Sequence, residues 1–198
     1  MKCPERADLA FIVDTSGSIT DENFKKQKDF VKAIASSFDP SITNHQLGLI
    51  SYSTNARMEV SFKDNTKLEE FEKAVDSMLH IKGRTRLDNA LKLATSQLFN
   101  PNEDINSGQR KSVIILTDGR QSQDPGAVPL QDAVRPLRQL GVRIYVVAVS
   151  SELDLEELYQ LTEKKDDVFT ASYFDDLAKM ANDVARETCR LAAPIKGR

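Results

Sequence analysis

The stretch DLAFIVDTSGSIT (8–20) runs from apolar residues of buried-strand type into an acid and then four hydroxyl residues around a glycine. Asp14, Thr15, Ser16, Ser18 and Thr20 are costly inside a core unless each polar group finds a partner. A metal ion would be such a partner, and the position of these residues at the end of a strand says where to look for the others.

Working outward, short apolar strands alternate with helical stretches. A helix is expected from about Asp21 to Phe38, carrying Phe24, Val31, Ile34 and Phe38 at helical spacing. QLGLISYS (46–53) and RMEVSF (57–62) read as a hairpin around Thr54, Asn55 and Ala56. TKLE (66–69) reads as a capping box opening a helix with Leu68, Phe71, Val75 and Leu79 on its apolar face. A further helix follows over Leu87 to Phe99. KSVIILTD (111–118), with four consecutive apolar residues, fits a parallel strand covered on both faces. A helix over Val128 to Leu140 then stops at Gly141. VRIYVVAV (142–149), a short helix from Leu155, DVFTA (167–171) and a last helix from Ser172 to about Thr188 complete the pattern. Such alternation predicts an α/β fold: a doubly wound, mostly parallel central sheet with one antiparallel edge strand and helices on both faces. One domain is expected over residues 1–190, with 191–198 as a linker or tail.

The chain has 198 residues, 40% hydrophobic and 29% charged, with a formal net charge of −3. That balance gives no reason to expect nucleic acid or an anionic membrane as partner. No apolar run approaches membrane-spanning length, and the first residues lack the basic-then-apolar pattern of a secretory signal, so a segment of a longer chain is expected. Cys3 and Cys189 bracket nearly everything in between. Two buried, reduced cysteines are one reading. A bond between them is the other, favoured because both lie in polar terminal segments, and it points to an oxidising, extracellular compartment. His45 and His80, without neighbouring ligands, read as surface or packing residues.

In an open parallel sheet, ligands bind at the carboxyl ends of the strands. Asp14-Thr15-Ser16-Gly17-Ser18, Thr117-Asp118-Gly119 and the loop KGRTR (82–86) all fall there. Their carboxylates and hydroxyls are hard oxygen donors that suit magnesium or manganese, while zinc would call for cysteine or histidine clusters that are absent. A serine hydrolase is disfavoured because no G-x-S-x-G elbow occurs, and no phosphate-binding G-x-x-x-x-G-K run follows the first strand. The expectation is therefore a protein that is not an enzyme. Lys82, Arg84, Arg86 and Arg120 flank the proposed site and are candidates for a rim that attracts an acidic partner, although such residues also serve simply as a solvated loop.

Three separated motifs, D-T-S-G-S, T-R-L-D-N-A-L and I-L-T-D-G, resemble the metal-ion-dependent adhesion site of von Willebrand factor type A domains. LTDGRQSQD (116–124) and the bracketing cysteines are most similar to matrix members of that family, such as collagen VI and the matrilins. The resemblance implies that Ser16 and Ser18 coordinate Mg2+ or Mn2+ through their hydroxyls. It also implies that Asp14 acts through a bound water and that Thr85 and Asp118 bind directly or through water. It implies a secreted module of the extracellular matrix whose metal receives an acidic residue of a matrix partner, collagen included, without membrane insertion; the sequence leaves the oligomeric state open. The alternative is a structural matrix spacer whose metal only stabilises loops. In integrin relatives the last helix slides as affinity changes, and a Cys3–Cys189 bond would oppose a full-turn slide here.

Overall fold

The computed structural model describes residues 2–4, 6–64, 66–100, 102 and 109–190. The expected linker or tail over 191–198 lies outside the described residues. In chain order the main elements are β1 (Ala7–Asp14), α1 (Asp21–Ala35), α2 (Pro40–Thr43), β2 (Gln46–Tyr52), β3 (Ala56–Val60), α3 (Leu68–Ser77), α4 (Leu87–Leu93), β4 (Arg110–Thr117), α5 (Leu130–Gln139), β5 (Val142–Val149), α6 (Leu155–Tyr159), β6 (Val168–Ala171) and α7 (Leu177–Arg190). The strands form one six-stranded sheet in the order β3-β2-β1-β4-β5-β6. All neighbours are parallel except β2 and β3, which pair antiparallel at one edge, as the hairpin reading requires.

Side-chain alternation along β1 builds the two cores. Leu9, Phe11 and Val13 face a layer with Phe24, Phe30 and Ile34 of α1, Phe71 and Val75 of α3, and Val184 of α7. Ala10 and Ile12 face the opposite layer, with Leu87 and Leu91 of α4, Val134 and Leu137 of α5, and Leu158 of α6. Every residue of β1 is buried, which explains why the strand reads as a continuous apolar run.

Several element ends differ from the sequence reading. Helix α3 begins one residue later than the TKLE capping box implied: Lys67 is the N-cap, and Glu70 accepts its backbone N–H at 3.2 Å. The helix stops at Ser77, so Leu79, expected on its apolar face, is 57% exposed. Helix α1 ends at Ala35 and tightens into a 3-10 turn over Ser36–Phe38. The stretch Ala94–Leu98 continues α4 as a π turn. Helix α5 starts at Leu130 because Pro129 drives the residue before it away from helical geometry; Gly141 follows its end at φ 73°. The last helix starts at Leu177, after a 3-10 turn over Phe174–Asp176.

Cys3 and Cys189 are bonded, with Cα atoms 5.6 Å apart across a separation of 186 residues. The segment leading into β1 is further held by His45, which is buried. Its Nδ1 accepts the Ala7 backbone N–H at 3.1 Å, and its Nε2 donates to the Cys3 carbonyl at 3.1 Å. The chain-entropy model assigns a loop of this length roughly 5 kcal/mol. Urea unfolding of the oxidised domain and of a Cys3→Ser, Cys189→Ser variant is expected to show a loss of about 3–5 kcal/mol for the variant.

Candidate metal centre

Parallel pairing of β1 with β4 brings two of the polar loops together, since Val13 lies opposite Leu116 and the next residues are Asp14 and Thr117. Asp14 is fully buried. Its Oδ1 accepts the Ser16 N–H at 2.8 Å, and its Oδ2 receives the Tyr52 hydroxyl at 3.3 Å and the Thr117 hydroxyl at 3.5 Å. Burial first, and the charge of Asp118 second, push the Asp14 carboxyl up to about 6, against the lowering effect of its hydrogen bonds. Burial also raises Asp118.

In front of Asp14 the oxygens form a chain. Ser16 Oγ and Ser18 Oγ are 3.1 Å apart, and Ser18 Oγ donates to Asp118 Oδ1 at 3.1 Å. Asp14, Ser16, Ser18 and Asp118 are thus one cluster. Among the described residues no three His, Cys, Asp or Glu side chains gather into a metal-binding group. The donor set here is instead two carboxylates with hydroxyls, which is chemistry for a hard cation.

The loop over 80–86 is laid along the first loop by backbone hydrogen bonds. Lys82 N–H donates to Thr15 O at 2.9 Å, Gly17 N–H donates to Gly83 O at 2.9 Å, and Ser16 and Gly83 form an isolated parallel bridge. Two residues on, Thr85 is tied to the loop after β4. Its N–H donates to Ser122 Oγ at 3.1 Å, and its carbonyl accepts the Ser122 N–H at 2.8 Å. All three motif loops therefore share one network, with Thr85 half-buried between the other two.

The basic residues of the proposed rim are each engaged by a carboxylate. Lys82 pairs with Asp21 at 3.1 Å, Arg120 with Asp154 at 3.3 Å, and Arg84 with Asp124. Arg86 is a brace under the site: its side chain is 13% exposed and forms a two-pronged pair with Asp88, both contacts at 2.8 Å. Asp88 also accepts the Val128 N–H at 3.0 Å, and Gln121 Oε1 accepts the Asp88 N–H at 2.8 Å. Asp88 and Gln121 are residues that the sequence reading passed over, because Asp88 looks like an ordinary first-turn acid of α4. His80, read as surface or packing, stacks on Phe24 and contacts Asp21 and Ser16.

A family model described as von Willebrand factor type A domain matches residues 8–183. The human collagen alpha-6(VI) chain is 33% identical over 188 residues, 94% of this chain and 8% of that protein. Mouse matrilin-1 is 29% identical over 184 residues, 92% of this chain and 36% of that protein. Proximal thread matrix protein 1 from the mussel byssus superposes with a TM-score of 0.87 at 25% identity, covering 95% of this chain and 49% of that one. A structure of that mussel protein with its MIDAS motif occupied by zinc gives a TM-score of 0.85 at 24% identity. The chain therefore spans less than half the length of each of these relatives. With collagen VI, matrilin and vitrin as relatives, it is a secreted segment of the extracellular matrix.

Gly83 is where the 80–86 loop packs most tightly on the turn between β2 and β3. A Cβ there would stand 2.6 Å from Thr54 Oγ1 and 3.1 Å from Thr54 N. Thr54 Oγ1 cannot yield freely, because it accepts the Arg84 N–H at 3.0 Å. Gly83→Ala is expected to cost about 1–3 kcal/mol in urea unfolding, with faster amide exchange at Gly17 and Lys82.

Proposed function

We propose, from the premise that this chain belongs to the von Willebrand factor type A domain family, that it is a matrix-binding module, not an enzyme. A divalent cation held by Asp14, Ser16, Ser18, Thr85 and Asp118 engages an acidic residue of a protein partner. The observation that carries this reading is the contiguous run of oxygens from Ser16 through Ser18 to Asp118, backed by buried Asp14. The raised Asp14 and Asp118 carboxyls fit the same reading: a buried acid and a half-buried one stand together where a cation would relieve the repulsion that Asp118 exerts on Asp14.

Asp14 already receives three protein donors, so it would act by orienting Ser16 and would hold a cation through water and not directly. Asp118 then stands as the charged oxygen beside neutral hydroxyls. Such a site leaves the ion short of negative charge, and a partner carboxylate completes it. Mg2+ or Mn2+ suits these donors. The partner class is an extracellular matrix protein, with collagen-like chains among the candidates. A structural spacer is the second reading, and one observation favours it: Lys82, Arg84, Arg86 and Arg120 are paired within the chain, so the rim offers an acidic partner little unneutralised positive charge.

Magnesium titration by calorimetry tests the ion. Binding at millimolar magnesium is expected in the wild type and a marked loss in Asp118→Ala, with the fold intact because the substitution lies on a loop. Absence of binding in the wild type sinks the metal reading. Capture of matrix proteins with magnesium and with EDTA then separates adhesion from scaffold. Adhesion predicts that EDTA, or Glu→Gln in the captured partner, abolishes retention; a spacer predicts metal binding with no retention at all.

The Asp14 shift adds a pH dependence. Its carboxyl titrates at about 6 when folded, against an ordinary value of 3.8, so the folded state holds this proton more tightly than the unfolded chain. The metal-free protein therefore loses stability as pH rises from about 4 to above 6, in proportion to the buried charge that appears. Magnesium offsets that cost only where Asp14 is ionised. Thermal unfolding is expected to show a larger magnesium-dependent rise in Tm at pH 7.5 than at pH 5.

A further inference from the structure

The Ser16 carbonyl meets the His80 ring, with Nε2 at 3.2 Å. On its other side the ring places Nδ1 2.6 Å from Asp21 Oδ1. A carbonyl and a carboxylate are both acceptors, so the ring spans two fixed oxygens through whichever of its nitrogens carry a proton. The ring plane is fixed as well: it stacks on Phe24 with centroids 4.9 Å apart and planes 24° apart, and only 9% of the side chain is exposed. Asp21 and Phe24 both belong to α1, one of the helices packed on the sheet through Phe24, Phe30 and Ile34. His80 thus connects a rigid helix to one backbone atom inside the D-T-S-G-S loop.

That atom lies between the other ties. Immediately before it, Thr15 O accepts from Lys82 N–H; immediately after it, Gly17 N–H donates to Gly83 O. Lys82 reaches the same Asp21 with its ammonium group, and its backbone sits at φ 60°, a left-handed conformation rare for a residue with a side chain. Strain of this kind persists only where the surroundings over-determine it. Here the surroundings are the His80–Asp21–Lys82 cluster, which sets the spacing between the loop bearing Ser16 and Ser18 and the loop that leads to Thr85.

We propose that His80, held by Asp21 and Phe24, is a positioning residue that pre-arranges Ser16, and through Gly83 the Thr85 loop, for a small octahedral cation. The proposal rests on the metal reading given above. Its mechanical half, the holding of Ser16, is measurable without any metal. Magnesium tolerates little departure from octahedral geometry, whereas calcium accepts larger and irregular shells. Loosening the loop is therefore expected to cost magnesium more than calcium. Loss of an orienting contact behind a metal ligand ordinarily costs 10–100-fold in affinity.

His80→Phe keeps the stacking on Phe24 and removes the polar contacts to Asp21 and Ser16. Asp21→Asn removes the anchoring charge at an exposed side chain and leaves the core untouched. Two measurements are made on each variant and on the wild type: amide hydrogen exchange of the metal-free protein over residues 15–18 and 82–83, and calorimetric titration with magnesium and with calcium. Both variants are expected to exchange faster at those amides and nowhere in β1 or β4. His80→Phe is expected to bind magnesium about tenfold more weakly, with a smaller loss for calcium. Unchanged exchange at 15–18 in both variants overturns the proposal, whatever the metal data show. Faster exchange spread through the whole sheet also overturns it, because His80 would then be a general packing residue. Equal losses for the two cations remove the pre-arrangement for a small ion. If the wild type binds neither cation, the metal reading fails and the exchange data alone still decide whether His80 holds Ser16.

Discussion

The parallel pairing of β1 with β4 is the constraint on which the remaining structure depends. β1 is hydrogen-bonded on both sides, to β2 and to β4, and all eight of its residues are buried. The chain leaves β1 toward one edge of the sheet and later returns on its other side as β4, so a crevice opens between the two strand ends. The register settles what lines that crevice. With Asp14 opposite Tyr52 and Val13 opposite Leu116, a carboxylate arrives between two hydroxyl-bearing residues instead of in the apolar layers above and below. A slip of one residue would exchange the two covered faces of β1 and move Phe11 and Val13 into the wrong core.

The electrostatics of the carboxyl-end face follow from that placement. Asp14 and Asp118 are both pushed up because burial removes water from them and, among the described residues, no side-chain cation replaces it. The cations that surround the site are spent on other acids: Lys82 on Asp21, Arg84 on Asp124, Arg86 on Asp88 and Arg120 on Asp154. Most of these are exposed pairs of the kind worth little in stability, but they neutralise the rim. Arg86 with Asp88 differs, since both side chains are largely enclosed and Asp88 also holds the Val128 N–H; removing either partner would leave an uncompensated buried group.

The strands and helices were legible because each core face imposes a period on the sequence: DLAFIVD and KSVIILTD announce strands covered twice, and α1 repeats Phe24, Val31 and Ile34 at helical intervals. The motif loops were legible for the related reason that hydroxyls and acids at strand ends are out of place unless they share a ligand. What lay beyond the sequence was carried by contacts between distant backbone atoms. Nothing in the composition of 80–83 tells that Lys82 adopts a left-handed backbone or that Gly17 and Gly83 are hydrogen-bonded. His80 has no ligand nearby in sequence, and its partners Asp21 and Ser16 are 59 and 64 residues away. The neutral rim was hidden for the same reason, as the partners of Arg84 and Arg120 lie 40 and 34 residues on. Helix ends moved wherever local chemistry outweighed the apolar period, as Pro129 does at the start of α5.

The Cys3–Cys189 bond also decides how the molecule bears tension. A pull applied through the segments that flank the two cysteines enters and leaves at Cα atoms 5.6 Å apart. The force then runs through a covalent shortcut. None of it shears β1 from β4 or peels β3 from the edge, and the face carrying Ser16 and Asp118 keeps its shape under that load. Cleavage of that single bond would place the 186-residue interval in series with the load. At about 3.3–3.6 Å per extended residue it stores on the order of 600 Å of slack. The oxidised module is an inextensible link, and its reduced form is an elastic one.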